Sequence, residues 1–325
     1  MKLAIFGAGM IVHDFMKVVH DLPEIELRAI LGTETDVPGM KALKEAHGIE
    51  MIYTDLAECL ADETVDTVYV ALPNHLHYHF AKEALLQGKH VICEKPFTLK
   101  KSELLALAAI AKEKQLILIE AITNQYLANY QAIKAQLTEL GDLKLIECNY
   151  SQYSSRYDLF KEGTVLPAFN PKMGGGALMD INIYNIHFVV GLLGTPNAVH
   201  YHANIEQGID TSGVLLLDYD QTKVVCIGAK DSTATIRSTI QGTKGSIIVN
   251  GPTNVLDSYA YEALKTPAVT IDRKVNEHRM YEEFKMFQQV IASNDQSFAE
   301  DRLAHSQRVM DVVEAALADA QINLG

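Results

Sequence analysis

The chain opens on a short apolar run, Lys2-Leu3-Ala4-Ile5-Phe6, which stops at Gly7-Ala8-Gly9. From residue 11 to 20 the apolar positions recur at helical spacing, so the start reads as strand, glycine turn, helix. The alternation continues: strands are expected at 26–31, 50–53, 65–71, 91–93 and 116–120, and helices at 40–47, 55–61, 78–87 and 101–114. The 65–71 run, Val-Asp-Thr-Val-Tyr-Val-Ala, is β-branched in the manner of a strand buried on both faces. Strands and helices alternating across short links predict a doubly wound parallel sheet.

After residue 121 the pattern changes. A helix is expected at 126–140, ended by Gly141, then an alternating strand at 143–150 and an aromatic, polar loop at 151–171. Gly174-Gly175-Gly176 open an apolar helix over 177–187. Strands follow at 198–205, 211–219, 223–229, 232–241 and 246–249, with turns at 220–223 and 242–245, and then helices at 278–292 and 303–320. The reading is α/β. It has a parallel-sheet domain at 1–121 and an α+β domain at 122–325, whose large, mostly antiparallel sheet is open on one face. A monomer rarely leaves such a face bare, which predicts a homodimer or higher homo-oligomer formed through it.

Composition narrows the partners. A length of 325 residues suits two domains, and 48% hydrophobic residues can fill both cores. The net charge of −13 argues against nucleic acid or an anionic membrane surface. Cys59, Cys93, Cys148 and Cys226 are widely spaced, which fits thiols in a reducing cytoplasm. The N-terminus carries no secretory pattern, and no run approaches 18 apolar residues, so a cytoplasmic location is expected. His75, His77 and His79 alternate, but no set of metal ligands is assigned.

The chemistry-bearing residues lie just past the strands. Gly7 and Gly9 suit a backbone that turns tightly beside a pyrophosphate, although the sixth fingerprint position is Val12. At the tip of the second strand, where an acid selects NAD, stand Gly32 and Thr33, with Glu34 beyond. That leaves room for a 2′-phosphate and inclines the cofactor to NADP over NAD. Asn74 to His77 follow the 65–71 strand. Glu94-Lys95-Pro96 end the next one, with Pro96 stiffening the backbone beside Lys95. A lysine held there can act as acid, base or anion clamp. In the second domain Asp180, Tyr184 and His187 fall at i, i+4 and i+7, on one helical face. Arg156 and Tyr157, in the 151–171 loop, are the residues expected to meet a polyhydroxylated ligand.

The G-A-G turn, V-D-T-V-Y-V-A-L-P-N-H-L-H (65–77), G-K-H-V-I-C-E-K-P (88–96) and E-A-I-T-N-Q-Y (120–126) resemble the Gfo/Idh/MocA oxidoreductases, the glucose-fructose oxidoreductase and inositol dehydrogenase family. The resemblance covers almost the whole chain. It implies an NAD(P)-dependent oxidoreductase acting on a sugar, cyclitol or related hydroxy or carbonyl compound. It also implies that Gly7, Gly9, Met10 and Ile11 cradle the pyrophosphate, and that Leu72, Pro73, Asn74 and His77 line the cofactor cleft. Glu94 would contact the nicotinamide ribose, and Lys95 would stand at the reacting carbon.

The 174–187 segment is similar to the family's G-G-G-x-L-x-D-x-G-x-H, with Asn182 for a glycine and Tyr184 for a histidine. The tyrosine points to the glucose-fructose oxidoreductase and dihydrodiol dehydrogenase branch. Lys95, Tyr184 and Asp180 are then the catalytic set, with Tyr184 or Lys95 moving the proton. Tyr184 and His187 join Arg156 and Tyr157 as substrate contacts. Two other readings stand beside this one: a dinucleotide-binding regulator without turnover, and an NAD-dependent glycosidase.

Overall fold

Six strands of the first part form one all-parallel sheet. They are β1 (Lys2–Phe6), β2 (Glu26–Leu31), β3 (Met51–Tyr53), β4 (Thr67–Val70), β5 (His90–Glu94) and β6 (Leu118–Ala121), in the order β3-β2-β1-β4-β5-β6. Helices α1 (Met10–Met16), α2 (Val37–His47), α3 (Leu56–Ala61), α4 (His77–Leu86) and α5 (Lys101–Lys114) connect them. In this computed structural model, which describes residues 1–325, every residue of β4 and β6 is buried. That is the burial a parallel sheet covered on both faces requires. The strand order reverses between β1 and β4, the point at which such sheets bind ligands beyond their carboxyl ends.

The second sheet has eight strands: β7 (Leu143–Ser151), β8 (Ala198–Glu206), β9 (Ile209–Asp218), β10 (Lys223–Ala229), β11 (Arg237–Gly242), β12 (Gly245–Asn250), β13 (Tyr259–Ala263) and β14 (Val269–Ile271). Their order is β14-β13-β12-β11-β7-β10-β9-β8, and only β7 and β10 pair in parallel. The last two strands escaped the sequence reading because they are short, β13 being mostly half-buried and β14 mostly exposed, with no run of buried β-branched residues. The strand expected from residue 232 starts at Arg237, since Asp231 and Ser232 hydrogen-bond each other and their neighbours instead of a ladder.

Helix α6 (Ala128–Gln136) precedes this sheet. The loop expected at 151–171 contains α7 (Ser155–Lys161), capped by the Ser154 hydroxyl, which accepts from the Arg156 N–H. The apolar helix begins as a π turn over Leu178–Asn182 and continues as α8 (Ile183–Leu193). Residues 171–193 have the length and hydropathy of a membrane span, but 72% of the apolar window is buried within the fold. Asn182 and Asn185 tie this helix to β10 by donating to the carbonyls of Cys226 and Ile227. Asn182 is accommodated because the strand residue facing it is Gly228, where a Cβ would come within 2.7 Å of the Asn182 Cβ.

The chain ends in α9 (Met280–Ser293) and α10 (Gln296–Asp319). The expected boundary, 122–325 as one domain, needs amending. Residues 280–307 cluster with 1–121, and the second unit is 122–279 with 308–325. The reason is aromatic. Phe284 of α9 stacks on Phe15 at 4.2 Å between centroids and meets Tyr69 edge-on at 5.1 Å. Burying such a side chain contributes about 1.5–3 kcal/mol.

Candidate active site

In the first unit the glycine corner sits where β1 and β4 lie side by side. Gly7 has φ +112°, and a Cβ there would come within 2.5 Å of the Ala71 carbonyl oxygen, so only glycine fits. Gly9 is exposed, with open space around it, and caps α1 without a side-chain hydrogen bond. Met10 is 69% exposed and Ile11 half-buried. A tight glycine turn between a strand and the start of a helix is the arrangement that a dinucleotide pyrophosphate takes.

Beyond β2, a side chain at Gly32 would meet Met40 and Asp36, which keeps this position a glycine. Asp36 is turned back onto Thr33, accepting from its N–H at 2.9 Å and its hydroxyl at 2.6 Å. Those two donors hold the Asp36 carboxyl below its ordinary range. Thr33, Glu34 and Thr35 are exposed.

The corner after β5 is clamped on every side. Between Val91 and Leu99 only Lys95 is more than marginally exposed. Before it, the Tyr69 hydroxyl donates to Glu94 Oε1 at 2.5 Å. After it, a cis peptide bond joins Lys95 to Pro96, the Pro96 carbonyl lies 2.9 Å from His77 Nδ1, and the Phe97 N–H donates to Glu120 Oε1 at 3.0 Å. Glu120 also accepts from the Ser306 hydroxyl at 2.5 Å.

His77, placed with the cofactor-lining residues by resemblance, has no exposed surface. Its second nitrogen lies 2.8 Å from the Leu72 carbonyl, so the ring ties the loop after β4 to the Lys95 corner. Burial pushes its pKa down, against the pull of the two carbonyls. Leu72 and Asn74 are half-buried and Pro73 is exposed at the rim.

The second unit assembles a different group. Asp180 lies in the π turn and its Oδ2 accepts from Lys230 Nζ at 2.8 Å; the carboxylate side chain is 33% exposed and the lysine side chain 3%. Tyr184, one turn on, is 8% exposed; its ring faces Tyr150 at 6.2 Å, and its carbonyl accepts from Asn124. The start of the π turn is seated on Asp210, which accepts from the Leu178 N–H at 2.6 Å and the Tyr201 hydroxyl at 2.7 Å. Burial raises the Asp210 carboxyl to about 6, the two donors opposing that rise.

Two expected substrate contacts need correction. His187 follows on the same helix, but it is fully buried, and a solute would have to open the core to touch it. The Tyr157 ring is turned inward among Phe160 and Phe169, and its hydroxyl donates to Glu206, which pushes its pKa up to about 12. Arg156 is half-buried beside it.

Sequence reasoning missed Lys230, Asp210, Tyr69 and the clamping role of Glu120. For Lys230 a signal was present. Val224, Cys226 and Gly228 face inward on β10, and Lys230 continues that parity just past the strand.

The family model for GFO/IDH/MocA oxidoreductases, an oxidoreductase family with an NAD-binding Rossmann fold, matches residues 1–122, and the GFO/IDH/MocA C-terminal domain matches residues 130–248. The chain is 35% identical over 251 residues to the scyllo-inositol 2-dehydrogenase (NADP(+)) IolU of Bacillus subtilis, covering 77% of this chain and 76% of that one. It is 28% identical over 274 residues to the trans-1,2-dihydrobenzene-1,2-diol dehydrogenase of Xenopus tropicalis, covering 79% and 81%. The fold is shared with the 3-ketoreductase KijD10 of Actinomadura kijaniata, solved with NADP and TDP-benzene. That match has a TM-score of 0.83 at 22% identity and covers 97% of this chain and 98% of that one.

Proposed function

The chain belongs to the GFO/IDH/MocA oxidoreductase family, and from that premise we propose that it interconverts a secondary alcohol and a ketone on a cyclitol, sugar or related polyhydroxylated ring, with NADP preferred over NAD. The observation that carries this reading is the clamped corner after β5. It presents one partly exposed lysine at the ligand edge of a nucleotide-binding sheet. The preference for NADP rests on Gly32 at the tip of β2 and on an Asp36 committed to Thr33. It also rests on the NADP-dependent relative.

A dinucleotide held beside Gly7, Gly9 and the corner after β5 would supply the hydride acceptor in oxidation and the donor in reduction. In oxidation the C–H bond of the carbinol breaks with its electron pair, and the hydroxyl proton must leave so that a neutral carbonyl remains. On this reading Tyr184 takes that proton, Lys95 stabilises the charge on the same oxygen, and Asp180 orients one of the two. In reduction Tyr184 returns the proton.

The test is Lys95→Met and Tyr184→Phe, assayed separately on scyllo-inositol and on an aldose and cyclitol panel, with NADP and NAD titrated side by side. Each variant is expected to lose about 10²- to 10⁴-fold in kcat while still binding NADP. Near-full turnover in both, with cofactor binding intact, removes the pairing. Cofactor binding with no turnover of any polyol by the native protein removes the enzyme.

We also propose that the open face of the eight-stranded sheet joins two copies of the chain. Leu145 and Val214 on that face are 48% and 36% exposed. Gel filtration or scattering at micromolar concentration should give a dimer or larger assembly, and a monomer counts against it. A cytoplasmic location agrees with four cysteines that are all buried thiols.

A further inference from the structure

We propose that Lys230 is a positioning residue for hydride transfer, holding the Asp180 carboxylate in place and linking it to the 166–170 segment. This rests on the reading that Asp180 serves the reaction. The lysine stands just past β10, where its backbone N–H donates to the Thr211 carbonyl and its own carbonyl accepts from the Ser154 N–H. Its ammonium reaches Asp180 Oδ2 at 2.8 Å, the Ala168 carbonyl at 2.5 Å and the face of Phe169 at 4.3 Å. Phe169 in turn stacks on Phe160 at 5.0 Å and leans on Tyr157 at 5.8 Å. One buried cation therefore joins the π turn, the aromatic segment and the end of β10.

The asymmetry of the pair argues for function. A buried ion pair is a poor way to gain stability, because apolar residues of equal volume often serve as well. Here the base is 3% exposed and the acid 33%. The cation is sealed in, and the carboxylate is left with a third of its surface reachable. Such a pair presents an acid at a fixed place more than it fills a core. A carboxylate held by one oxygen at its tip cannot rotate away when a hydroxyl of the substrate arrives. The π turn contributes as well, since an i+5 turn of this kind commonly occurs at functional sites and here carries Asp180.

The experiment is a double-mutant cycle of Lys230→Met and Asp180→Asn, with Lys230→Arg as the conservative replacement. It uses the full-length protein, NADP, and the best substrate from the panel above. Lys230→Met is expected to lower kcat about 10- to 100-fold, the range for a group that orients a reacting side chain, with NADP affinity unchanged. Lys230→Arg recovers most of that loss. In the Asp180→Asn background Lys230→Met costs little more, because the partner it positions is gone. Additive losses, or a Lys230→Met enzyme as fast as the native one, overturn the inference. An Asp180→Asn enzyme at full rate instead overturns the role of Asp180 on which it rests.

A second measurement needs no turnover. Hydrogen exchange of residues 166–170 and 178–182 in the free protein should accelerate in Lys230→Met and stay near native in Lys230→Arg. Unchanged exchange in Lys230→Met also overturns the inference. A general rise across the chain would show a structural role only.

Discussion

The corner around Lys95 and the seat of Asp180 are built from different contacts. Around Lys95 the protein grips the backbone: Tyr69 on the side chain before it, His77 and Glu120 on the main chain after it. The lysine's four-carbon stem then works from a rigid base. Asp180 is gripped at its tip, by an ammonium at 2.8 Å, while its backbone sits in a widened turn seated on Asp210. The chain is fixed on both sides of Lys95, and the Asp180 carboxylate is fixed at one of its oxygens.

The comparison can be broken first at the Lys95 corner. Glu120→Ala leaves the buried Phe97 N–H and the Ser306 hydroxyl without this acceptor. Two such losses should cost about 2–4 kcal/mol, read as a lower midpoint in denaturant unfolding, together with a fall in kcat. A midpoint within error of native would show that the corner is held some other way.

Next is the seat of the acid's helix. In Gly228→Ala the new methyl meets Asn182 at 2.7 Å, which is a backbone-proximal carbon that cannot swing aside. Overpacking of this kind costs about 1–3 kcal/mol, and adding Asn182→Gly should recover part of it in the same unfolding assay. Full additivity of the two changes would contradict direct contact.

The last effect is the pH dependence carried by Asp210. Its folded pKa, about 6, stands above the ordinary value of 3.8. The folded protein thus binds this proton more tightly than the unfolded chain. Its contribution to stability is full below pH ~4 and is lost as pH rises through about 6, with a slope of at most ~1.4 kcal/mol per pH unit. Asp210→Asn should flatten that part of the melting temperature profile, and an unchanged slope would assign it to another group.

Much of this was legible along the chain. Alternating apolar runs and short links located all six strands of the parallel sheet, and the residues past β1, β4 and β5 marked its ligand edge. These signals are local: a glycine forced to φ +112° by a neighbouring carbonyl, or a buried strand spelled in β-branched residues, is written in a few consecutive positions. The short β13 and β14 carried no such pattern.

The sequence by itself determined the parallel sheet, its glycine corner, the place of Lys95 at a strand end, and the family these motifs belong to. Only the tertiary structure decided that residues 280–307 join the first unit, that His187 and Tyr157 turn inward, and that Lys230 meets Asp180. The physical reason is separation in sequence. Asp180 and Lys230 stand fifty residues apart, and Phe15 and Phe284 far more. Helical and strand periodicity report which face of an element is buried, but the partner that covers it is chosen by packing across the whole chain.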